Sequence, residues 1–276
     1  MIAAALSSIL LLQAASPAEA ELRSVSVVVT DDKGDPVEGL VTEEVALVEN
    51  GLARDVSSIV LDRRALTVVL LVDTSQATSS FFRLNLLDPV VTFLRRLPEG
   101  AQYSLWTTGD RPTKLVDFTS DADEAARALK RVPPQGGSTM LDALVEASEE
   151  LKKKEAERTA VVAVSAVGVE FSSRSRWQVA DDVPKYAEQV LALQIDEGEI
   201  DPESRGNYDY VFSELAKRTG GVHETVLSSL GIETGLKKLT AFLRGGYRLT
   251  YATLPGLKNR KLEVKVARPG VKVRLG

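Results

Sequence analysis

The apolar and polar residues follow one pattern at the two ends of the chain and another in the middle. At the ends they alternate, as expected of strands with one buried face. The alternating segments are residues 23–30, 45–50, 56–60, 247–251, 261–267 and 271–275. Asn50-Gly51 predicts a tight turn between the second and third of these. Both ends of the chain are therefore predicted to be β.

The middle of the chain alternates strands with helices. Leu66–Val72 (LTVVLLV) and residues 159–165 (TAVVAVS) are continuous apolar runs, typical of strands buried on both faces of a parallel sheet. Shorter strand patterns lie at residues 103–107, 114–118, 189–195 and 222–225, the first two forming a predicted hairpin. Helical spacing of apolar residues predicts helices over residues 81–97, 121–131, 140–153, 178–187, 208–219 and 231–243. Residues 196–206 are predicted to form the longest loop.

This order of elements predicts an α/β fold with a doubly wound, mostly parallel sheet and helices on both of its faces. We place the α/β domain at residues 64–245, with a β segment before it at 22–62 and β strands after it at 246–276. Because the two terminal segments alternate in the same way, we expect them to pack together as one small all-β unit.

The first twenty residues are typical of an export signal. Residues 1–12 are mostly apolar, and Ala18 and Ala20 place small residues at the positions that signal peptidases prefer. The apolar stretch is too short to span a bilayer. An N-terminal core helix is the alternative, but the stretch has no polar face. The sequence therefore predicts a signal peptide at residues 1–20, cleaved after Ala20, and a secreted or periplasmic protein.

Composition narrows the class of function further. The 276-residue chain carries a net charge of −5, with acidic and basic residues interspersed. It has no basic block for nucleic acid or an anionic membrane surface, and no transmembrane helix is expected in the mature chain. The absence of cysteine excludes disulfides, thiolate catalysis and cysteine-ligated zinc. A single histidine leaves few candidates for a general base.

Polar residues stand at three places where predicted strands end or helices begin. Residues 73–77 (DTSQA) follow the most apolar strand, and residues 165–168 (SAVG) end the second apolar strand. Residues 135–139 (QGGST) and then Asp142 begin a predicted helix. In open α/β sheets, ligands bind beyond the carboxyl ends of the strands. We therefore expect these segments to share one edge of the sheet.

In order and spacing, these segments resemble the von Willebrand factor A family. That family has an apolar strand ending in Asp-x-Ser-x-Ser, a Gly-Gly-Thr loop before a helix, and a strand ending in Asp-Gly. The chain also resembles a von Willebrand A-related family of acidobacterial exported proteins. That second resemblance is carried by residues 29–40 (VTDDKGDPVEGL), 48–51 (VENG), 216–221 (AKRTGG) and 247–251 (YRLTY). The resemblance implies a Rossmann-like fold and a metal-ion-dependent adhesion site.

Only part of that metal site matches this sequence. Asp73 and Ser75 match the first two positions, and Ser138 matches the family's threonine. Ala77 and Ala166 stand where the family has a hydroxyl and a carboxylate. Mg²⁺ requires near-octahedral oxygen coordination. The sequence therefore predicts a degenerate metal site and no cofactor, with Mg²⁺ or another divalent cation as the alternative.

Other residues near the motif carry oxygen atoms that could complete such a site. Several residues of the motif region also have a purely structural explanation. The auxiliary candidates are Thr139, Asp142 and Glu170. Asp73 is equally suited to capping the next helix or accepting backbone N–H groups. Ser138 with Asp142 is equally suited to the first turn of a helix, and both interpretations stay open.

The resemblance implies an exported, non-catalytic module of the adhesion type that binds an unidentified protein partner. We predict partner contacts in the loops at the strand ends, by Thr74, Gln76, Thr78, Gln135, Arg174 and Arg176. Two alternatives remain: a structural scaffold domain of an envelope assembly, and a hydrolase or phosphotransferase that uses Asp73. The enzyme alternative lacks support. Haloacid dehalogenase-type phosphatases use a strand-end aspartate as nucleophile and need a second acid two residues later, where this chain has Ser75.

Overall fold

The computed structural model describes residues 21–198, 202–253, 255–256 and 260–275, so the predicted signal peptide at 1–20 lies outside the described residues. The strands are β1 (Glu21–Asp31), β2 (Val45–Glu49), β3 (Leu52–Arg54), β4 (Val56–Leu61), β5 (Leu66–Val72), β6 (Gln102–Thr107), β7 (Thr113–Thr119), β8 (Arg158–Ala166), β9 (Gln189–Ile195), β10 (Val222–Val226), β11 (Gly246–Thr253), β12 (Leu262–Val266) and β13 (Val271–Leu275). The α-helices are α1 (Leu87–Arg95), α2 (Ala122–Leu129), α3 (Met140–Lys153), α4 (Arg176–Asp182), α5 (Pro202–Thr219) and α6 (Ile232–Arg244).

The central sheet has six strands in the order β10-β9-β8-β5-β6-β7. Every pair is parallel except β6 with β7, which form the predicted antiparallel hairpin. All seven residues of β5 are buried, because helices cover both faces of the sheet. Helices α1, α2 and α6 pack on one face, and α3, α4 and α5 on the other. The predicted α/β fold with a doubly wound, mostly parallel sheet is confirmed.

The two ends of the chain pair with each other. Strand β11 lies between β1 and β4, and β13 completes an antiparallel sheet in the order β13-β1-β11-β4. A second sheet, β12-β2-β3, joins carboxyl-terminal β12 to amino-terminal β2. The inward side chains of both sheets, among them Val27, Leu47 and Tyr251, form one core. The predicted small all-β unit is therefore present.

Buried charges connect this β unit to the α/β domain. Arg158, at the start of β8, is 3% exposed and lies 3.8 Å from the carboxylate of Asp62, which follows β4. Its guanidinium also donates to the carbonyl of Leu243, at 2.9 Å, in α6. Arg64 donates to the same Asp62 at 2.6 Å. This junction lies at the amino ends of the central strands, opposite the edge that carries Asp73.

Two local predictions differ from the structure. Residues 196–206 are not one long loop, because helix α5 already begins at Pro202. The first turns of α5 are polar and mostly exposed, so the spacing of apolar residues does not reveal them. The Asn50-Gly51 turn, with positive φ angles of 51° and 82°, leads into the short strand β3 rather than directly into β4. Within the described part of the chain, no helix combines the length and apolar character needed to cross a membrane.

Candidate functional site

The three polar segments singled out in the sequence meet at the carboxyl edge of the central sheet. The backbone N–H of Asp73 donates to the carbonyl of Val164 in β8 at 2.8 Å. The loop before α3 is joined to the loop after β5 by two backbone hydrogen bonds of 2.9 Å. They run from Gln76 N–H to the carbonyl of Gly136 and from Gln135 N–H to that of Thr74. Asp73 and Ser138 therefore belong to one site.

Asp73 is fully buried at the centre of this site. Its Oδ1 accepts hydrogen bonds from the Ser75 N–H at 2.8 Å and the Thr108 hydroxyl at 3.4 Å. Its Oδ2 accepts from the Ala166 N–H at 3.1 Å. Burial raises the pKa of Asp73, and the hydrogen bonds from Ser75 and Ala166 oppose that shift. The carboxyl group thus ties together three segments of the edge.

The hydroxyl groups near Asp73 differ in their hydrogen-bond partners. Ser75 Oγ is buried near Asp73, but no atom of the described residues meets it with hydrogen-bond geometry. Ser138 Oγ accepts from the Met140 N–H at 3.3 Å. Thr139 donates its hydroxyl to the carbonyl of Thr108 at 2.9 Å, so its role is to fix the strand end.

Glu170 is a second acidic residue of the same site. The hydroxyl of Tyr208 donates to its Oε2 at 2.6 Å, and the Ser172 N–H donates to its Oε1 at 3.1 Å. Burial raises the pKa of Glu170, and the negative charge of Asp73 raises it further. Burial together with the charge of Glu170 also raises the pKa of Tyr208.

Asp142 is occupied elsewhere. Its carboxylate accepts hydrogen bonds from the N–H groups of Ser173 at 2.9 Å and Arg174 at 3.1 Å, and it pairs with the Arg174 guanidinium at 3.3 Å. Asp142 therefore holds the loop after β8 in place and is not an auxiliary oxygen of the Asp73 cluster.

Two of the residues predicted to contact a partner are buried. Thr74 is 2% exposed and its hydroxyl accepts from the Gly109 N–H, while Thr78 is 0% exposed and donates to the carbonyl of Ser75. Both hydroxyls hold the loop after β5, so neither residue reaches the surface. Gln76 and Gln135 are exposed. Arg174 and Arg176 are half-buried.

Two residues of the site were not predicted from the sequence. Thr108 directly follows β6, and its position at a strand end is a signal that would have found it. Tyr208 lies inside helix α5, where only the folded chain shows that its hydroxyl reaches Glu170.

The oxygen atoms around Asp73 fall short of the metal site that the resemblance implies. Ser75 and Ser138 offer hydroxyls, and the unpartnered Ser75 Oγ would suit a cation. At position 166, however, the chain presents a backbone N–H donor to Asp73 rather than a carboxylate. Among the described residues, no three acidic or histidine side chains cluster as metal ligands. This donor set does not fit the near-octahedral shell of Mg²⁺.

Apolar side chains are exposed at the same edge. Most of the large apolar side chains exposed among the described residues lie between the end of β5, β8 or β10 and the first turn of the α-helix that comes next in the chain. They are Leu84, Val169, Phe171, Trp177, Leu227 and Leu230, with exposures between 56% and 82%. Phe171 lies directly against Gly137, where a Cβ atom would come within 1.7 Å of its ring. We call these six residues the apolar edge.

Comparison with known proteins agrees with the fold. Residues 68–167 match the family model of the von Willebrand factor type A domain. The structure is similar to that of a von Willebrand factor type A protein from Catenulispora acidiphila, with a TM-score of 0.55 at 9% identity, covering 94% of this chain and 73% of that chain. It is also similar to the ArnB paralog VWA2 from Sulfolobus acidocaldarius, with a TM-score of 0.52 at 13% identity, covering 92% and 73% of the two chains.

A third solved structure, proximal thread matrix protein 1 from the mussel byssus, has a TM-score of 0.51 at 15% identity and covers 71% of this chain and 49% of that chain. No curated protein matches the sequence. At these identities the structural likeness shows the fold alone. The family match therefore assigns residues 68–167 to a von Willebrand factor type A domain, and these structures share its fold.

Proposed function

We propose that the von Willebrand factor type A domain of this chain is a non-catalytic protein-interaction module that binds its partner through the carboxyl edge of the central sheet. The observation that carries the proposal is the apolar edge. Large apolar side chains exposed together at one edge of a domain mark a place where another molecule binds. Here the exposed apolar residues follow the strands at the edge where α/β folds bind their ligands.

The environment of Asp73 argues against catalysis. A nucleophilic or basic carboxylate must reach its substrate, but Asp73 is 0% exposed and both of its oxygens accept hydrogen bonds from the chain. Asp73 therefore organises the edge and takes no part in a reaction.

We also propose that partner binding needs no resident metal. The site is degenerate because Ala77 and Ala166 supply no oxygen from their side chains, and Asp73 is already held by three donors. The apolar edge provides a binding surface that does not depend on a cation.

The proposed setting is outside the cytoplasm. The sequence of residues 1–20 supports export with cleavage after Ala20, and so does the resemblance to exported acidobacterial proteins. The partner would then be a protein of the periplasm, the cell surface or the medium.

The proposal is tested by capturing partners from envelope extract with immobilised residues 21–276. We expect F171S combined with L230S to remove a specifically retained protein, because both changes interrupt the apolar edge. L52S is the matched control, since Leu52 is 58% exposed in the β unit. Equal capture by the edge variant and the wild type, with both folded by circular dichroism, would exclude this surface.

A further inference from the structure

Arg176 occupies an unusual position beside the apolar edge. Its guanidinium carbon lies 4.3 Å from the ring centroid of Trp177 and 5.1 Å from that of Tyr210. The two rings are 6.2 Å apart and tilted by 53°. Arg176, the first residue of α4, is thus stacked on two aromatic rings. Trp177 is the next residue of the same helix, and Tyr210 lies in the first half of α5. Such stacking orders the side chain before any ligand arrives.

The guanidinium of Arg176 has no acidic partner among the described residues. Within the described ranges of the chain, its one direct hydrogen bond goes from Nη1 to the neutral Oδ1 of Asn207, at 3.3 Å. Its Nε is buried and has no hydrogen-bond partner in the described part of the chain. A buried donor without an acceptor costs free energy, so the folded chain keeps this cation at a cost.

Neighbouring arginines are satisfied in the usual way. Arg174 pairs with Asp142 at 3.3 Å and with Glu146 at 3.8 Å. Arg205 pairs with Asp196 at 3.2 Å. Arg218 pairs with Asp181 at 2.8 Å. Among these four arginines of the described part of the chain, Arg176 alone has no acidic partner.

We propose that Arg176, stacked on Trp177 and Tyr210, binds a carboxylate of the protein partner. A planar guanidinium matches a carboxylate with two parallel hydrogen bonds. The stack holds a single unpaired cation, which balances one carboxylate. A phosphate carries about two negative charges at neutral pH and is better matched by several cations.

The surroundings of Arg176 define the rest of the ligand. Trp177 is 56% exposed and Tyr210 is 36% exposed, so both rings offer flat apolar surface around the cation. Phe171 of the apolar edge, 65% exposed, stands in the loop that leads to α4. The segment of the partner that binds here therefore has an aspartate or glutamate flanked by apolar residues. This inference rests on the proposed function and names the chemistry of its partner.

The test is selection of a phage-displayed library of random twelve-residue peptides on residues 21–276. We expect the enriched peptides to share an aspartate or glutamate next to apolar residues. A synthetic peptide with that acid changed to its amide should bind the wild type about tenfold more weakly or worse, because a charged hydrogen bond is lost. The same change should alter binding to R176Q by less than about twofold, and R205Q, the matched control, should behave as wild type.

Several results of this selection would overturn the carboxylate site. Enriched peptides without an acid, an equal loss on the wild type and R176Q, or tighter binding of a phosphoserine version would each overturn the carboxylate site. If such peptides still lose binding to F171S with L230S, the apolar edge stands and only this inference fails. If no peptide is enriched, the carboxylate site fails, and the capture experiment decides the proposed function separately.

Discussion

Glu170 is the residue whose ionisation should be visible in stability. Its pKa is raised in the folded state by burial and by the charge of Asp73, so the folded chain holds this proton more tightly than the unfolded chain. The stabilisation from the protonated group is complete below the ordinary value of 4.5 and is lost as pH rises through the folded value. The stability of the wild type relative to E170Q should therefore fall as pH rises.

Urea denaturation of both proteins from pH 4.5 to about pH 7 measures this difference directly. Comparing the two proteins cancels the contribution of groups that do not interact with Glu170, such as His223, whose pKa is lowered by burial. A difference that stays constant or grows with pH would show that folding does not raise the pKa of Glu170.

The side chains around Asp73 also set an expectation for metal binding. We expect calorimetric titration of Mg²⁺, Mn²⁺ or Ca²⁺ into residues 21–276 to give no saturable heat, because the donor set is incomplete. The double variant A77S with A166D, which supplies the missing hydroxyl and carboxylate, should give saturable binding of Mg²⁺. Saturable binding by the wild type would contradict the proposed metal independence.

At the level of single residues, the sequence was a good guide to which side chains come together. It was a poorer guide to what each of them does. Asp73, Ser75 and Ser138 come together because the carboxyl ends of parallel strands share one edge. The sequence could not separate the surface from the interior of the same loop. Gln76 is exposed, yet Thr74 and Thr78 beside it are buried, because their hydroxyls satisfy the loop's own backbone.

Among the elements, the end of α5 shows how a short motif determines packing. Thr219 accepts a hydrogen bond from the Val190 N–H in β9 and donates to Leu215 within the helix. Gly220 follows with a φ of 61°, which ends the helix in a conformation that favours glycine. The Gly221 N–H then donates to the carbonyl of Ala216 at 2.8 Å. These contacts give a physical reason for the segment AKRTGG.

Two glycine substitutions should have opposite effects on stability. In G221A the new Cβ would lie within 1.8 Å of the carbonyl oxygen of Val190, and backbone cannot move aside easily. We expect a loss of about 2 kcal/mol or more in the free energy of unfolding. G206A, inside α5 with no atom within 4 Å, should be more stable by about 0.5–1 kcal/mol. Denaturant melts of both variants check this, and a neutral G221A would contradict the packing described here.

Whole-chain architecture was the most predictable level, because the pattern of apolar residues changes between the ends and the middle. The fully buried run Leu66–Val72 and the alternating residues of β1 and β11 needed no long-range information. The charged junction between the β unit and the α/β domain was not predictable. Arg158 and Asp62 are far apart in sequence, and only the fold brings these two buried charges to 3.8 Å.

Removing one charge of this junction should be costly. D62A would leave Arg158, which is 3% exposed, without its carboxylate, and would also remove one of the two carboxylates that pair with Arg64, the other being Glu188. We expect a loss of about 3 kcal/mol in the free energy of unfolding. D182A is the control, because the pair of Asp182 with Lys185 is exposed and should contribute less than about 1 kcal/mol. Similar losses in both variants, measured by urea denaturation, would mean that the junction does not hold the two units together.

The central claim is that the carboxyl edge of the sheet touches the protein partner and does so without a metal. The most direct test replaces Phe171 with the photo-crosslinking residue p-benzoylphenylalanine and illuminates residues 21–276 in envelope extract containing EDTA. We predict a specific crosslinked protein from position 171 and none from the matched exposed position 52. A crosslink that appears only when Mg²⁺ replaces EDTA, or that forms from position 52 and not from position 171, would contradict the account.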